Sequence, residues 1–433
     1  MNSTKWMMSL CLVSSAGCQP GLDSLEAGDE FGDSASGESA DETETENGGE
    51  GSLECLAGTD LAGEPGLAFV PPCTVECAEP LGIPQLAIEW TRELDLEVSE
   101  SDRLVSLDQD TLVVGRSASP ESGEPHASLV LLSAATGEPL ESVELIGIDQ
   151  VHDLERGPEG ELAMTWTSGG ADWAGVVSLA GEIEWSHSLG GLVDLPSQVR
   201  WTEDGLAALH PQDELVRFDA QGSELGRFDV EGWAFDPSAS GFVVMGYSLA
   251  WYDQAGNELG SESAGLDFLV DVRARGSQGA LAIGIWFPEQ SLVPTDALLA
   301  GYEVDLADPS WRMIHRRSDA WCAQESEEPR TAEGYAALAL LDDERVILAG
   351  YESVGYPLYE DPGFDGEPVD RPEQPIVDLV GLGEGSANVL ARDRGLWLGS
   401  VVDVAVDGPF AYALTTYEQT TSTTLVVRKY ATP

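Results

Sequence analysis

The chain has 433 residues, 42% of them apolar, enough to bury a large core. Its 78 acidic residues against 20 basic ones leave a formal charge of −58, and only Lys5 and Lys429 are lysine. So acidic a surface repels phosphate backbones and anionic lipid headgroups, which excludes nucleic acid and peripheral binding to acidic membranes as partners.

Residues 1 to 18 read as an export leader: Lys5, the apolar run Trp6-Met7-Met8-Ser9-Leu10-Cys11-Leu12-Val13, then Ser15-Ala16-Gly17 before Cys18. The run is too short to span a bilayer. Ala16-Gly17-Cys18 resembles the lipobox of bacterial lipoproteins, with Ser15 standing where that pattern has an aliphatic residue. The resemblance implies that the leader is cut and Cys18 acylated; an ordinary leader cut near the same place is the alternative.

Residues 19 to 54 carry 12 acids and no Lys or Arg, with few apolar residues. Such a segment cannot bury enough surface to offset its ordering entropy, so the expectation is a disordered, self-repelling tether between anchor and folded domain. The tether is not the whole source of charge: subtracting its −12 and the +1 of Lys5 from −58 leaves −47 on residues 55 to 433.

A small module over 55–85 holds Cys55, Cys73 and Cys77, and a fourth mature-region thiol, Cys322, stands far along the chain. In an exported protein these predict two disulfides, with three pairings open; the favoured one puts a bridge inside the module and a second from Cys73 or Cys77 to Cys322. A metal site using Cys73 and Cys77 is the weaker alternative, since no second paired half exists.

From Leu86 onward short strands alternate with turns. A compact apolar run after a polar or Gly turn recurs seven times: residues 110–115, 160–165, 204–209, 241–246, 279–284, 345–350 and 408–413. In most units a second strand follows, ending in a tight turn, as in Leu215-Val216-Arg217-Phe218-Asp219-Ala220-Gln221-Gly222. The turn glycines Gly137, Gly181, Gly222 and Gly256 fall 44, 41 and 34 residues apart, the period of a four-stranded propeller blade. An outer strand comes next, with Ile183, Trp185, His187 and Leu189 on one face and Glu184, Ser186 and Ser188 on the other. The phrase Ile183-Glu184-Trp185 has an earlier counterpart in Ile88-Glu89-Trp90, which lacks a preceding strand. At the other end Leu425–Tyr430 reads as the inner strand of a unit whose outer strand never arrives. A ring closed by its termini accounts for both orphans.

The expected fold is therefore all-β: a seven-bladed β-propeller over residues 86–433, with six or eight blades as alternatives because the later units are drawn out by insertions. Leu131-Leu132-Ser133-Ala134-Ala135-Thr136-Gly137-Glu138 and its counterparts resemble the repeat of the quinoprotein-type (PQQ-like) β-propellers. That family includes envelope lipoproteins of the outer-membrane assembly type and quinone-dependent dehydrogenases. The dehydrogenase branch uses adjacent cysteines and calcium, and neither that cysteine pair nor a recognisable calcium pattern occurs here, so no catalytic residue carries over.

His126, His152, His187, His210 and His315 are scattered without metal-ligand spacing. His187 and His210 read as packed or strand-edge residues. The insertion from Tyr356 to Glu367, with Asp370, reads as a solvated loop rather than a calcium site. Trp90, Trp185 and Trp311 are assigned to packing between blades, and Trp166, Trp286 and Trp321 to a surface. No catalytic, cofactor or metal residue is assigned. The expected function is a non-enzymatic, outer-membrane-anchored envelope lipoprotein. It is expected to be monomeric, touching the membrane only through its anchor and holding a protein or surface ligand on a propeller face. A quinoprotein-like or hydrolytic enzyme and a carbohydrate-binding propeller are the alternatives.

Overall fold

The computed structural model describes residues 83–97, 102–118, 126–192, 195–211, 214–263, 268–275, 279–286, 296–303, 311–315, 333–353, 373–383, 386–395, 399–418 and 423–432. Cys18, Cys55, Cys73, Cys77, Cys322, the leader, the tether and the 356–367 insertion lie outside them, as do Trp321 and the side chains of Trp286 and Trp311.

The described chain forms 28 strands in seven four-stranded antiparallel sheets. The strand β1 (Ala87–Glu97) opens the chain. The first complete sheet holds β2 (Arg103–Ser106), β3 (Thr111–Ala118), β4 (His126–Ser133) and β5 (Pro139–Leu145). The second holds β6 (Gln150–Arg156), β7 (Leu162–Ser168), β8 (Ala171–Val177) and β9 (Ile183–Gly191). In the third are β10 (Gln198–Thr202), β11 (Gly205–His210), β12 (Glu214–Asp219) and β13 (Glu224–Asp229). The fourth comprises β14 (Ala234–Ser238), β15 (Gly241–Met245), β16 (Ser248–Asp253) and β17 (Glu258–Ser263). The fifth comprises β18 (Phe268–Arg275), β19 (Gly279–Trp286), β20 (Asp296–Glu303) and β21 (Trp311–His315). The sixth is built of β22 (Glu333–Asp342), β23 (Arg345–Ser353), β24 (Glu373–Gly383) and β25 (Ser386–Arg394). The last takes β26 (Val401–Asp407), β27 (Phe410–Glu418) and β28 (Thr423–Ala431) from the C-terminus and borrows β1 as its outer strand.

First strands touch in sequence, β2 to β6, β10, β14, β18, β22 and β26, and β26 returns to β2. That closed ring makes the fold a seven-bladed β-propeller, and the six- and eight-blade alternatives fall. The closure lies where the orphan strands placed it, with Ile88 opposite Tyr430 and Leu94 opposite Leu425. One detail is corrected: Leu425–Tyr430 belongs to the third strand from the centre, not the inner one, because β28 lies between β27 and β1. The seven recurrent apolar runs are all second strands. Packed between blades on both faces, they are buried along most of their length, as β11 is from Gly205 to His210, and so need no polar alternation.

The repeated turn glycines have a packing reason as well as a conformational one. Gly137, Gly181, Gly222 and Gly256 all have φ between 71° and 83°. Each also lies under a bulky outer-strand residue of the preceding blade. A Cβ would come within 2.6 Å of Trp90 at Gly137, 2.8 Å of Val143 at Gly181, 2.6 Å of Trp185 at Gly222 and 2.5 Å of Phe228 at Gly256. Blade-to-blade stacking at the rim thus depends on a bare glycine surface. Trp90 also donates from Nε1 to the Ala134 carbonyl at 3.2 Å.

Polar groups are buried within the sixth blade and where it meets the seventh, beside the apolar core the two blades share. Asp378 accepts from Arg392 at 2.6 and 2.7 Å and from the Tyr335 hydroxyl at 2.6 Å. Asp393 accepts from Tyr430 at 2.9 Å and from Arg428. The segment entering the ring locks onto this region, since Leu86 N–H donates to the Arg392 carbonyl at 2.8 Å and Arg392 N–H to that of Pro84 at 2.9 Å.

Candidate functional site

Because neighbouring strands run antiparallel, the connections between blades and those from second to third strands emerge on one face of the ring, here the upper face. Turns between first and second strands, and between third and fourth, emerge on the lower face. Three arrangements on the central axis and upper face carry the chemistry.

The first lines the centre. A first strand has no further strand on its inner side, so its inward N–H groups need other acceptors. Side chains of the preceding blade supply them. Asp403 Oδ2 accepts from Leu104 N–H at 2.8 Å, Asp153 Oδ2 from Val199 at 3.0 Å, Glu155 Oε2 from Trp201 at 3.0 Å and Asp236 Oδ2 from Ala274 at 2.9 Å. Gln198 does the same for Phe235 at 3.2 Å. Bulges in β6, β18 and β26 aim Asp153, Asp271 and Asp403, and Oδ1 of each accepts the next residue's N–H.

Arginines interleave with these acids: Arg200 pairs with Asp153 at 2.6 Å and approaches Asp236 at 3.6 Å, while Arg273 pairs with Asp271 at 2.7 Å. Burial pushes the Asp153 carboxyl up, but Arg200, Arg103 and the Val199 N–H overcome it and hold its pKa below the usual value. Glu155 has no such direct cation. By accessible surface it is only half-buried, yet its surroundings deep in the ring push its pKa up to about 8. Asp403 is raised to about 6, again chiefly by burial. These carboxylates clasp blade to blade.

The second arrangement joins blades two and three near the upper face. Asp172, on β8, lies between two imidazoles, with His152 Nε2 and His210 Nε2 each 3.5 Å from one of its oxygens. Thr167 donates to it at 3.0 Å and Ser197 at 3.3 Å. His152 Nε2 also meets the Thr167 hydroxyl at 2.6 Å and His210 Nε2 the Gly191 carbonyl at 3.0 Å. Since Thr167 donates to Asp172 and Gly191 offers only a carbonyl, both Nε2 atoms carry hydrogen. Burial opposes the charge on Asp172, but the hydrogen bonds from His152 and His210 prevail and depress its pKa. Both hydroxyls point at the carboxylate rather than at a free imidazole nitrogen, so the cluster reads as an inter-blade lock. Among the described residues, no group of three or more His, Cys, Asp or Glu side chains is arranged to hold a metal ion.

The third arrangement is apolar. Ile146, in the link between the first and second blades, is 84% exposed, and Leu192, in the next link, is 58% exposed. Tyr247, in the β15–β16 turn, is 74% exposed and stands beside Trp233, which has Phe268 against it. All these residues emerge on the upper face.

Of the residues singled out from sequence, His187 stacks on Phe218 at 4.9 Å with Nε2 on the Gly222 carbonyl at 2.5 Å, and His210 is buried. Trp166 is corrected from surface to core, being 2% exposed: it sits on a second strand, where blades cover both faces. His126 is exposed at the start of β4. Sequence reading missed the central acids and the aromatic group at Trp233. The carboxylates on first strands such as β6, β14 and β26 find partners across blades, with little local spacing to betray them.

Fold and surface together define a closed seven-bladed β-propeller with several exposed apolar side chains on its upper face. No family model matches the chain, and no curated protein matches it either. Among solved structures, it is similar to Raptor from Chaetomium thermophilum, with a TM-score of 0.50 at 7% identity, over 81% of this chain and 29% of that one. It spans well under a third of Raptor's length, and the likeness shows the fold alone. BamB from Moraxella catarrhalis aligns with a TM-score of 0.39 at 12% identity, covering 79% of this chain and 97% of that chain. A protein of unknown function from Bacteroides caccae aligns over 54% of this chain and 94% of its own, with a TM-score of 0.37 and 9% identity.

Proposed function

We infer that this chain is a non-enzymatic propeller of the bacterial cell envelope, anchored through Cys18 and held off the membrane by its acidic tether, that presents its upper face to a protein partner. The observation that carries the reading is that, among the described residues, the two most exposed large apolar side chains, Ile146 and Tyr247, both emerge on that one face, as do Leu192 and Phe268. Burying such side chains against a partner is favourable by about 1.5–3 kcal/mol each when complete. The polar groups of the centre and of the Asp172 cluster already serve one another between blades, which favours a scaffold.

The test is site-specific photo-crosslinking in cells of the source organism. Probes at Ile146 and Leu192 are expected to capture a discrete envelope protein, while one at Leu179 on the lower face is not. Equal labelling from both faces, or none from either, overturns the reading. Intact mass of the exported protein with and without globomycin tests the anchor: an unmodified N-terminus would remove it.

A further inference from the structure

The upper face carries a built aromatic shelf where the fourth and fifth blades meet. Its three rings come from three separate stretches: Trp233 before β14, Tyr247 in the β15–β16 turn and Phe268 at the start of β18. Tyr247 meets Trp233 edge-on, with centroids 5.3 Å apart and planes at 87°. Phe268 lies nearly parallel to Trp233, at 6.2 Å and 21°. Trp233 Nε1 donates to the Leu269 carbonyl at 3.2 Å, so the only polar atom of the indole is used inward and what it can offer a ligand is ring surface.

The shelf is held by backbone rather than by side-chain packing alone. A Cβ at Gly246 would stand 2.4 Å from the Glu231 carbonyl, and one at Gly232 would stand 2.5 Å from Val244 and 2.7 Å from the Met245 carbonyl. The two connections that carry Trp233 and Tyr247 are therefore in direct contact. Asp229 and Glu231, both exposed, lie four and two residues before Trp233.

Ring faces beside carboxylates attract cations. The chain uses that attraction internally: Lys429 Nζ lies 3.6 Å from the Phe410 centroid, and Arg217 and Arg200 sit over Phe242 and Phe235 at 5.8 and 6.0 Å. Among the described residues, no Lys or Arg of the chain is seated in this way on Trp233, Tyr247 or Phe268.

We propose that the Trp233–Tyr247–Phe268 shelf, with Asp229 and Glu231 beside it, is the docking point for an arginine-bearing segment of a partner protein. This rests on the reading of the upper face as a protein-binding platform and names the chemistry of the partner. A guanidinium suits the site better than an ammonium, because its plane stacks on a ring while its N–H groups reach carboxylates. The −58 charge steers a basic segment toward the domain and turns an anionic one away. A neutral glycan would use the rings but gain nothing from that field.

The mature full-length protein is titrated calorimetrically with synthetic peptides of one Gly-Ser length that carry arginines, the same number of lysines, or neither. Maltohexaose is titrated as the neutral glycan. The arginine peptide is expected to bind at least about threefold more tightly than the lysine peptide, and Tyr247→Ala to weaken it about three- to tenfold. Tyr247→Phe is expected to keep the affinity, because the ring remains, and Leu179→Ser on the lower face to leave it unchanged. Arginine and lysine peptides of equal affinity, indifferent to Tyr247→Ala, would mean general attraction to an acidic surface and overturn the proposal. So would maltohexaose binding that Tyr247→Ala abolishes. Crosslinks from Ile146 and Leu192 that persist in Tyr247→Ala would remove the shelf while leaving the platform standing.

Discussion

Replacing Gly222 by alanine tests the packing logic of the ring. The residue has φ +83°, which an L side chain adopts at a cost of about 1–2 kcal/mol. Its new Cβ would also stand 2.6 Å from the indole of Trp185, a contact that neither ring nor turn can accept without moving. Overpacking of this kind costs about 1–3 kcal/mol, and the loss of chain freedom in the unfolded state returns about 0.4–1 kcal/mol. The net expectation is destabilisation of about 2–4 kcal/mol. Gly160→Ala supplies the control: it has φ +92° but nothing within 4 Å of its added methyl, so only the conformational cost applies. Urea unfolding followed by far-ultraviolet circular dichroism should place Gly222→Ala about 1–3 kcal/mol below Gly160→Ala. Against a Trp185→Ala background that excess should vanish, since the indole is the obstacle. Equal destabilisation by the two alanines in the parent protein would refute the claim that a bare turn surface is needed for blade stacking.

Two further outcomes follow from the ring. Glu155, with its folded pKa raised to about 8, favours the native state in its protonated form; the stability it lends is full below its unfolded pKa and is lost as pH rises through about 8. Glu155→Gln should therefore be more stable than the parent at pH 9 by about 2–4 kcal/mol, with the gap narrowing toward pH 6 in urea titrations, and a constant gap would show that Glu155 does not titrate there. Deleting residues 423–433 removes β28 from between β27 and β1 and opens the ring, whereas deleting 19–54 touches no described strand; thermal unfolding should register a large loss only for the first, and similar effects would refute the shared blade.

Much of the architecture was legible in the sequence because propeller repeats speak through local signals. The second strands announce themselves as short apolar runs, the rim turns as Gly137, Gly181, Gly222 and Gly256, and the closing blade as two stretches lacking neighbours. The order of strands within a blade was less legible. The strand read as inner, Leu425–Tyr430, is third from the centre, and the innermost strands carry Asp153, Arg200, Asp236, Asp271 and Asp403, residues that look like loop or surface. Most of their partners lie on a neighbouring blade, dozens of residues away, where composition and spacing leave no trace.

The candidate surface shows the same divide. Trp90 and Trp185 recur at one place in the repeat, so their packing role could be read directly. Trp233 and Tyr247 meet through the β14–β15 pairing of one blade, and Phe268 joins them only where the fifth blade packs on the fourth. Sequence alone determined an acidic, repetitive all-β chain that closes on its own ends, because turn chemistry, apolar runs and charge are local quantities. Tertiary structure decided the blade count, the clasp of carboxylates around the centre, the burial of Trp166 and the aromatic shelf, because each depends on contacts between residues that the chain holds apart until the ring has closed.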